Sequence, residues 1–294
     1  MTWAILVVAA SLILAVVNTL DKYVLTKWVR NPFVSVLVLG FIGLIAGITV
    51  WLSRGFAPLS TLNIFGALIA GLCYLVSVVF YFKALKIEEM SRVVPLYYLS
   101  PLFILIFAAF FLGEIFTLAN YLGIFALMIG AILVSSRSFL RIKLNLAFWW
   151  MMIAVLGWSA NLILTKYLLN YADYWTIFAW VRLGGFIGII PLIFIYLPEL
   201  RDTVRRHGSK FLAAASLSET LTLVSILLVT IAASVGYVTL VEALSALQAL
   251  FVLLIALLLS VFLPSIIKEE LNRAVVLQKI IATILMFAGA LLVV

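Results

Sequence analysis

Ten apolar segments of about 20 residues each make up most of this chain of 294 residues. A helix needs about 20 mostly apolar residues to cross the hydrocarbon core of a bilayer, and the polar stretches between these segments are too short for a soluble domain. The sequence therefore predicts an all-α integral membrane protein with ten transmembrane helices. The predicted spans are 2–26, 33–53, 61–85, 92–112, 118–136, 146–169, 173–197, 211–234, 237–263 and 275–293.

The composition excludes a soluble globular protein. Hydrophobic residues make up 67% of the chain and charged residues 10%, whereas soluble domains have about 45–50% and about 25%. The net charge of +8 does not indicate nucleic-acid binding, because the basic residues are spread over short loops and form no patch with aromatic residues. We therefore expect the lipid bilayer, and not nucleic acid, as a partner.

The basic residues are distributed unevenly between the two sides of the predicted bundle. Of the 19 lysines and arginines, 14 lie in or next to the loops that follow spans 1, 3, 5, 7 and 9, and Arg54 is alone on the opposite side. Cytoplasmic loops carry the excess of basic residues. This distribution predicts that both termini lie outside the cytoplasm.

The chain contains an internal repeat. The segment "SPLFILIFAAFFL" at 100–112 is similar to "QALFVLLIALLLS" at 248–260, an offset of 148 residues. The repeat divides the chain into two five-helix units, 1–140 and 145–294. Because each unit has an odd number of helices, the second must be inserted upside down relative to the first, and inverted repeats place a substrate site near the bilayer midplane.

Three stretches of the first unit carry a family resemblance: "YFKALKIEEMSRVVPLYYLSPLF", "FFLGE" and "YLGIFALMIGAILV". They resemble the repeat of EamA-type transporters in the drug/metabolite transporter superfamily. The second unit departs from the pattern, since it has "SVFLPSIIKEEL" where "FFLGE" would recur. The resemblance implies a carrier of small organic metabolites such as amino acids in a prokaryotic plasma membrane. It also implies cytoplasmic termini, which is opposite to the charge distribution.

The "FFLGE" motif contains Gly113 and Glu114 between two apolar runs. Glycine suits the end of a helix. A carboxylate just before a helix favours the positive end of the helix dipole and can accept backbone N–H groups. We therefore interpret both residues as structural, in a tight turn at the membrane edge.

Ionisable residues inside predicted spans are expensive to bury and are functional candidates. Glu219 and Glu242 each begin a polar stripe on an apolar helix, and the offset of 148 maps the second stripe onto span four. Such stripes either line a substrate cavity between the units or form hydrogen bonds between helices. The stripe residues are Glu219, Thr222, Glu242, Ser245 and Gln248, with Tyr97 and Ser100 in span four.

Four further residues are candidates for substrate binding. Arg182 either neutralises an anionic group of the substrate or is held by backbone carbonyls or a buried carboxylate. Asn18 and Asn161 either line a cavity or bond to a neighbouring helix. Trp158 adjoins a polar stripe, and it either lines a substrate pocket or serves in an interfacial belt or in packing. By contrast, Asp21 and Lys166 lie about 19 to 20 residues into their helices, so we expect them to extend towards the membrane interface.

The sequence and the family resemblance together predict a secondary transporter that works by alternating access, and the resemblance favours an exporter. It contains no phosphate-binding loop, no catalytic motif and no metal motif, so we expect neither an enzyme nor a cofactor. Membrane carboxylates can carry protons, which makes Glu219 and Glu242 candidates for proton coupling. The alternative is a membrane enzyme or a lipid-handling protein of the scramblase type. Either a monomer or a homodimer is compatible with the sequence.

Overall fold

The computed structural model describes residues 2–29, 31, 33–88, 90–135, 145–262 and 273–294. These residues form eleven α-helices, and none of them lies in a strand. The helices are α1 Thr2–Lys27, α2 Phe33–Arg54, α3 Thr61–Ile87, α4 Met90–Tyr97, α5 Ser100–Leu112, α6 Leu118–Ser135, α7 Leu146–Leu168, α8 Tyr174–Val235, α9 Val238–Ser245, α10 Gln248–Phe262 and α11 Arg273–Val293.

The eleven helices correspond to ten membrane spans. The helices α4 and α5 together form span four, α9 and α10 together form span nine, and α8 supplies spans seven and eight. Eight segments are long and apolar enough to cross a membrane, and Leu118–Val134 and Leu277–Val293 are shorter apolar helices. The prediction of an all-α membrane protein with ten helices is confirmed.

The long helix α8 has two arms, Tyr174–Gly208 and Lys210–Val235. They meet at Gly208, whose φ of 63° and ψ of −147° are not helical. Residues 198–210, which lie between predicted spans seven and eight, are helical on both sides of this glycine. The stretch contains an i,i+4 ion pair of 2.7 Å between Asp202 and Arg206, which favours a helix over a loop.

Spans four and nine are both broken, and at equivalent places. The first break lies at Tyr98–Leu99 and the second at Ala246–Leu247, which are separated by the same 148 residues that relate the sequence repeats. At each break the backbone bonds shorten to the i→i−3 type, as from Leu247 N–H to the Leu244 carbonyl at 3.0 Å. Both units therefore supply a discontinuous helix, which is the type of element that forms binding sites in transporters.

The packing between helices is consistent with two related units. The helix α3 packs on α7, α1 on the second arm of α8, α2 on α8, and α6 on α11. Exchanging the first five spans for the last five maps this set of pairs onto itself. The division at 1–140 and 145–294 remains a prediction that these pairs support.

The surface of the bundle is apolar where it would face lipid. Phe110, Leu62 and Leu291 are each at least 80% exposed, which is costly in water and favourable in hydrocarbon. The charged groups Arg182, Glu219 and Glu242 are buried inside the bundle. The fold therefore places apolar side chains outside and several ionisable ones inside.

Candidate functional site

The carboxylate of Glu242 is the point where the two broken spans meet. The hydroxyl of Ser100, the first residue of α5, donates a hydrogen bond to Glu242 Oε1 at 2.6 Å. The indole of Trp158 on α7 donates to the same oxygen at 2.9 Å. The carboxylate also lies near the N-terminus of α5, which carries the positive end of the helix dipole. Three of the residues singled out in the sequence are thus in direct contact.

A row of aromatic rings extends from Trp158 into the bundle. The ring centroid of Trp158 lies 6.2 Å from that of Tyr97 and 6.1 Å from that of Tyr74. Tyr97 in turn lies 5.9 Å from Tyr81 and forms a side-chain hydrogen bond with Ser77. Such rings provide an apolar surface with polar groups at its edges, which suits an amphipathic organic molecule.

Arg182 lies at the other end of the Trp158–Tyr74 contact and is only 4% exposed. Its guanidinium carbon lies 4.5 Å from the ring centroid of Tyr74 and 5.5 Å from that of Phe178. The Nε atom is buried without a hydrogen-bond partner. Among the described residues no carboxylate forms an ion pair with Arg182. The site thus contains a buried cation that contacts aromatic faces and forms a side-chain hydrogen bond with Tyr74.

Glu219 and Asp21 lie where α1 faces the second arm of α8. Ser218 donates a hydrogen bond to the Asp21 carboxylate, and Glu219 interacts electrostatically with Asp21. Asp21 was expected to extend towards the membrane interface, whereas here it is bonded to a neighbouring helix. The physical reason is that Ser218 offers a donor inside the bundle, which removes the need to reach water.

The remaining predicted binding residues differ in their surroundings. Asn161 donates to the Ala70 carbonyl at 2.8 Å, which is the helix-bonding alternative. The hydroxyls of Thr222 and Ser245 donate to carbonyls of their own helices at 2.9 Å. Asn18 and Gln248 are half-buried. A substrate would have to displace the existing bonds of the first three residues in order to bind them.

Glu114 is buried and bonded to α9 instead of to the helix that follows it. It accepts the backbone N–H groups of Val238 at 2.8 Å and Thr239 at 3.2 Å, and the Thr239 hydroxyl at 2.7 Å. Gly113, with a φ of 67°, ends α5 just before it. Lys166 donates to the Ala233 carbonyl at 2.6 Å and so binds the C-terminal end of α8, the helix before α9. These contacts support a structural interpretation of Glu114, and they join the two predicted units.

A groove of about 500 Å³ lies on another side of the bundle, between α1, the C-terminal end of α9 with the break that follows it, and α11. All of its lining residues are apolar or small, and none is a predicted site residue. They are Ala4, Ile5, Val8, Ala9, Leu12, Leu244, Leu247, Phe287, Ala290, Leu291 and Val294.

The first part of the chain matches a known protein family. The model of the EamA-like transporter family matches residues 1–136. Residues 1–136 are therefore similar to this family. The match comprises the first unit, including its broken span four and the "FFLGE" motif.

Two individual proteins are similar to this chain. A curated protein of Sinorhizobium sp., described as an uncharacterized transporter in the cobO 3' region, is 44% identical over 55 residues, which cover 19% of this chain and 39% of the relative. The match thus spans about two fifths of that relative's length. A crystal structure of another protein has a TM-score of 0.72 at 20% identity, covering 99% of this chain and 94% of the other. At that identity the likeness establishes the fold alone.

The sequence analysis missed the contribution of α3 to the site. The EamA-like unit supplies Tyr74, Ser77 and Tyr81 from this helix, and all three contact residues that the sequence did identify. Their spacing of three and four residues was the available signal, since it places them on one helix face. Asp21 was also missed, because its depth suggested the membrane interface.

Proposed function

We propose that this chain is a secondary transporter that moves small organic molecules with an anionic group, amino acids among them, and that it exports them. The observation that carries the proposal is Arg182. A buried guanidinium with an unpartnered Nε and no paired carboxylate among the described residues is expensive. An anionic group of a substrate would supply the missing partner.

The broken spans support the same proposal. Half-helices that meet at the middle of a bundle form binding sites in transporters, because their ends present unsatisfied backbone groups to a ligand. Here the half-helices meet at Ser100 and Glu242, and Trp158 and Tyr74 connect this contact to Arg182. A substrate lying along these rings would face the guanidinium of Arg182 at one end and the carboxylate of Glu242 at the other. Alternating access would arise from rocking of one unit against the other.

The test is counterflow in proteoliposomes preloaded with the twenty protein amino acids, each supplied externally in radiolabelled form. We expect wild-type protein to exchange at least one of them. The Arg182→Gln variant should raise the KM for it by about 10-fold or more, because loss of a buried charge partner costs about 2–5 kcal/mol. Arg182→Lys keeps the positive charge and should therefore raise the KM by less than Arg182→Gln does.

Arg54→Gln is the matched control. Arg54 also lies over an aromatic ring, 4.6 Å from the centroid of Trp175, but it is exposed. The control should exchange like wild type. Exchange of fluorescent phospholipids between leaflets, without exchange of any amino acid, would favour the lipid-handling alternative and overturn the proposal.

A further inference from the structure

Two carboxylates, those of Asp21 and Glu219, belong to the contact between α1 and the second arm of α8. The Ser218 hydroxyl donates to Asp21, and Glu219 follows Ser218 directly in the same helix. Glu219 is 8% exposed, and its carboxylate accepts no hydrogen bond and joins no ion pair among the described residues. This pair is separate from the carboxylate of Glu242, which has two donors of its own.

The groups that face this pair from other helices are phenols and one arginine. On α3, the phenol of Tyr74 lies within electrostatic range of both carboxylates, and that of Tyr81 within range of Asp21. On the first arm of α8, Arg182 lies beyond Tyr74, with its guanidinium over that ring. In the part of the chain that the structure describes, no cation forms an ion pair with either carboxylate. The pair therefore lacks a direct counter-charge.

Two neighbouring carboxylates in an apolar interior resist being ionised together, because each negative charge raises the cost of the other. A metal cation would also relieve the repulsion, but hard cations such as Ca²⁺ take about six to eight oxygen ligands. The described residues provide two carboxylates and one hydroxyl, and that hydroxyl acts as a donor to Asp21. By contrast, a single bound proton can relieve the repulsion without any ligand other than the two carboxylates.

We propose that Asp21 and Glu219 form a proton-binding pair that carries a single proton, bound to one carboxylate or to the other. If the chain is the transporter proposed above, this pair supplies the coupling proton, while the cluster around Glu242 and Arg182 contacts the substrate. The coupling role rests on the proposed function, whereas the shared proton does not. The pair connects α1 of the first unit to α8 of the second, so its protonation would affect a contact that moves in alternating access.

The chain offers a favourable probe, since it contains only three aspartates. The other two, Asp173 and Asp202, are exposed. Protein labelled with carboxyl-¹³C aspartate and placed in lipid nanodiscs should therefore give three carboxyl resonances. The resonances of the two exposed aspartates can be assigned with the variants Asp173→Asn and Asp202→Asn. The remaining resonance is then that of Asp21, and the pair itself has not been altered.

We expect the Asp21 resonance of wild-type protein to titrate in two steps, because groups that interact by more than about one pK unit share their macroscopic titrations. Glu219→Gln should convert the curve to one step, with a midpoint displaced by about one pH unit or more from both. Glu242→Gln, which removes a carboxylate outside the pair, should leave the two steps in place. A single step with the same midpoint in wild type and Glu219→Gln would overturn the shared proton.

The coupling role has its own measurement. Proteoliposomes with an imposed pH gradient should accumulate the radiolabelled amino acid identified by counterflow, and Asp21→Asn and Glu219→Gln should each reduce accumulation to the level seen without a gradient. If both variants keep the gradient dependence, the pair does not couple transport, whatever its titration. Absence of counterflow by wild-type protein would refute the proposed function and leave the nanodisc titration as the independent test of the pair.

Discussion

The carboxylate of Glu114 accepts a hydrogen bond of 2.7 Å from the hydroxyl of Thr239, although 125 residues separate the two in sequence. The same carboxylate accepts the N–H groups of Val238 and Thr239, which open the half-helix α9. A side chain of the first unit thus caps a helix of the second. Capping satisfies backbone donors that would otherwise be buried without partners.

Replacement of Glu114 tests this cap. Glu114→Ala should lower the free energy of unfolding by about 2–3 kcal/mol, because buried donors lose a charged acceptor. Asp202→Ala is the control, since Asp202 takes part in an exposed ion pair and should change stability by less than about 1 kcal/mol. Melting temperatures in detergent micelles measure both. An unchanged melting temperature for Glu114→Ala would contradict the cap.

Two adjacent glycines of α8 should respond differently to alanine. A Cβ at Gly184 would collide with the backbone carbonyl of Leu68 on α3, whereas a Cβ at Gly185 would lie 3.6 Å from the Gly71 carbonyl, an ordinary contact. Gly184→Ala should therefore destabilise the protein by about 1–3 kcal/mol. Gly185→Ala should be neutral or slightly stabilising, because alanine favours a helix. Thermal unfolding of the two variants side by side measures the difference, and equal effects would argue against close contact between α3 and α8.

The two donors to Glu242 should act together. Ser100→Ala and Trp158→Phe each remove one donor to Oε1, and the double variant leaves that oxygen with neither. Residues that share a partner show interaction energies of about 0.5–3 kcal/mol. A double-mutant cycle on unfolding free energies measures this term. Ser159→Ala provides a control pair with Ser100→Ala, because the Ser159 hydroxyl bonds to the Val155 carbonyl of its own helix; that cycle should be additive.

Asp173 caps the start of α8 and makes a prediction about acid stability. Partial burial works in the opposite direction, but hydrogen bonds from the Thr176 hydroxyl and from the N–H groups of Thr176 and Trp175 hold the pKa of Asp173 below its ordinary value of 3.8. A carboxyl with a lowered folded pKa stabilises the fold above its unfolded pKa, and that contribution is lost as the pH falls through the folded pKa. Asp173→Ala should cost about 0.5–2 kcal/mol at pH 7. The difference from wild type should shrink below about pH 4; a difference that stays constant down to pH 2 would contradict this.

The orientation in the membrane has a direct test at the C-terminus. The excess of basic residues on one side of the bundle predicts that Val294 lies outside the cytoplasm. An alkaline phosphatase fusion at Val294 should therefore be active, and a green fluorescent protein fusion there should be dark. The reverse pair of results would support the orientation implied by the family resemblance instead.

The number of spans and the limits of most of them could be predicted from the sequence, because hydrophobic length is a local property. The turn expected near Ser234–Gly236 agrees with the end of α8 at Val235. The break at Tyr98–Leu99 has a local cause in Pro101, which lies at the start of α5 and cannot donate a backbone hydrogen bond to the turn before it. The equivalent break at Ala246–Leu247 has no proline nearby, so only the packing of the two units fixes it.

The sequence by itself determined a ten-helix membrane protein, its internal repeat and most of the residues around Glu242, because burial in lipid restricts which residues each helix can carry. The tertiary structure decided the partners. In it, Ser218 donates to Asp21, Arg182 has no paired carboxylate among the described residues, and Glu114 accepts hydrogen bonds from α9. These outcomes depend on which helices become neighbours, and a contact between residues more than a hundred positions apart leaves no periodic signal in a single sequence.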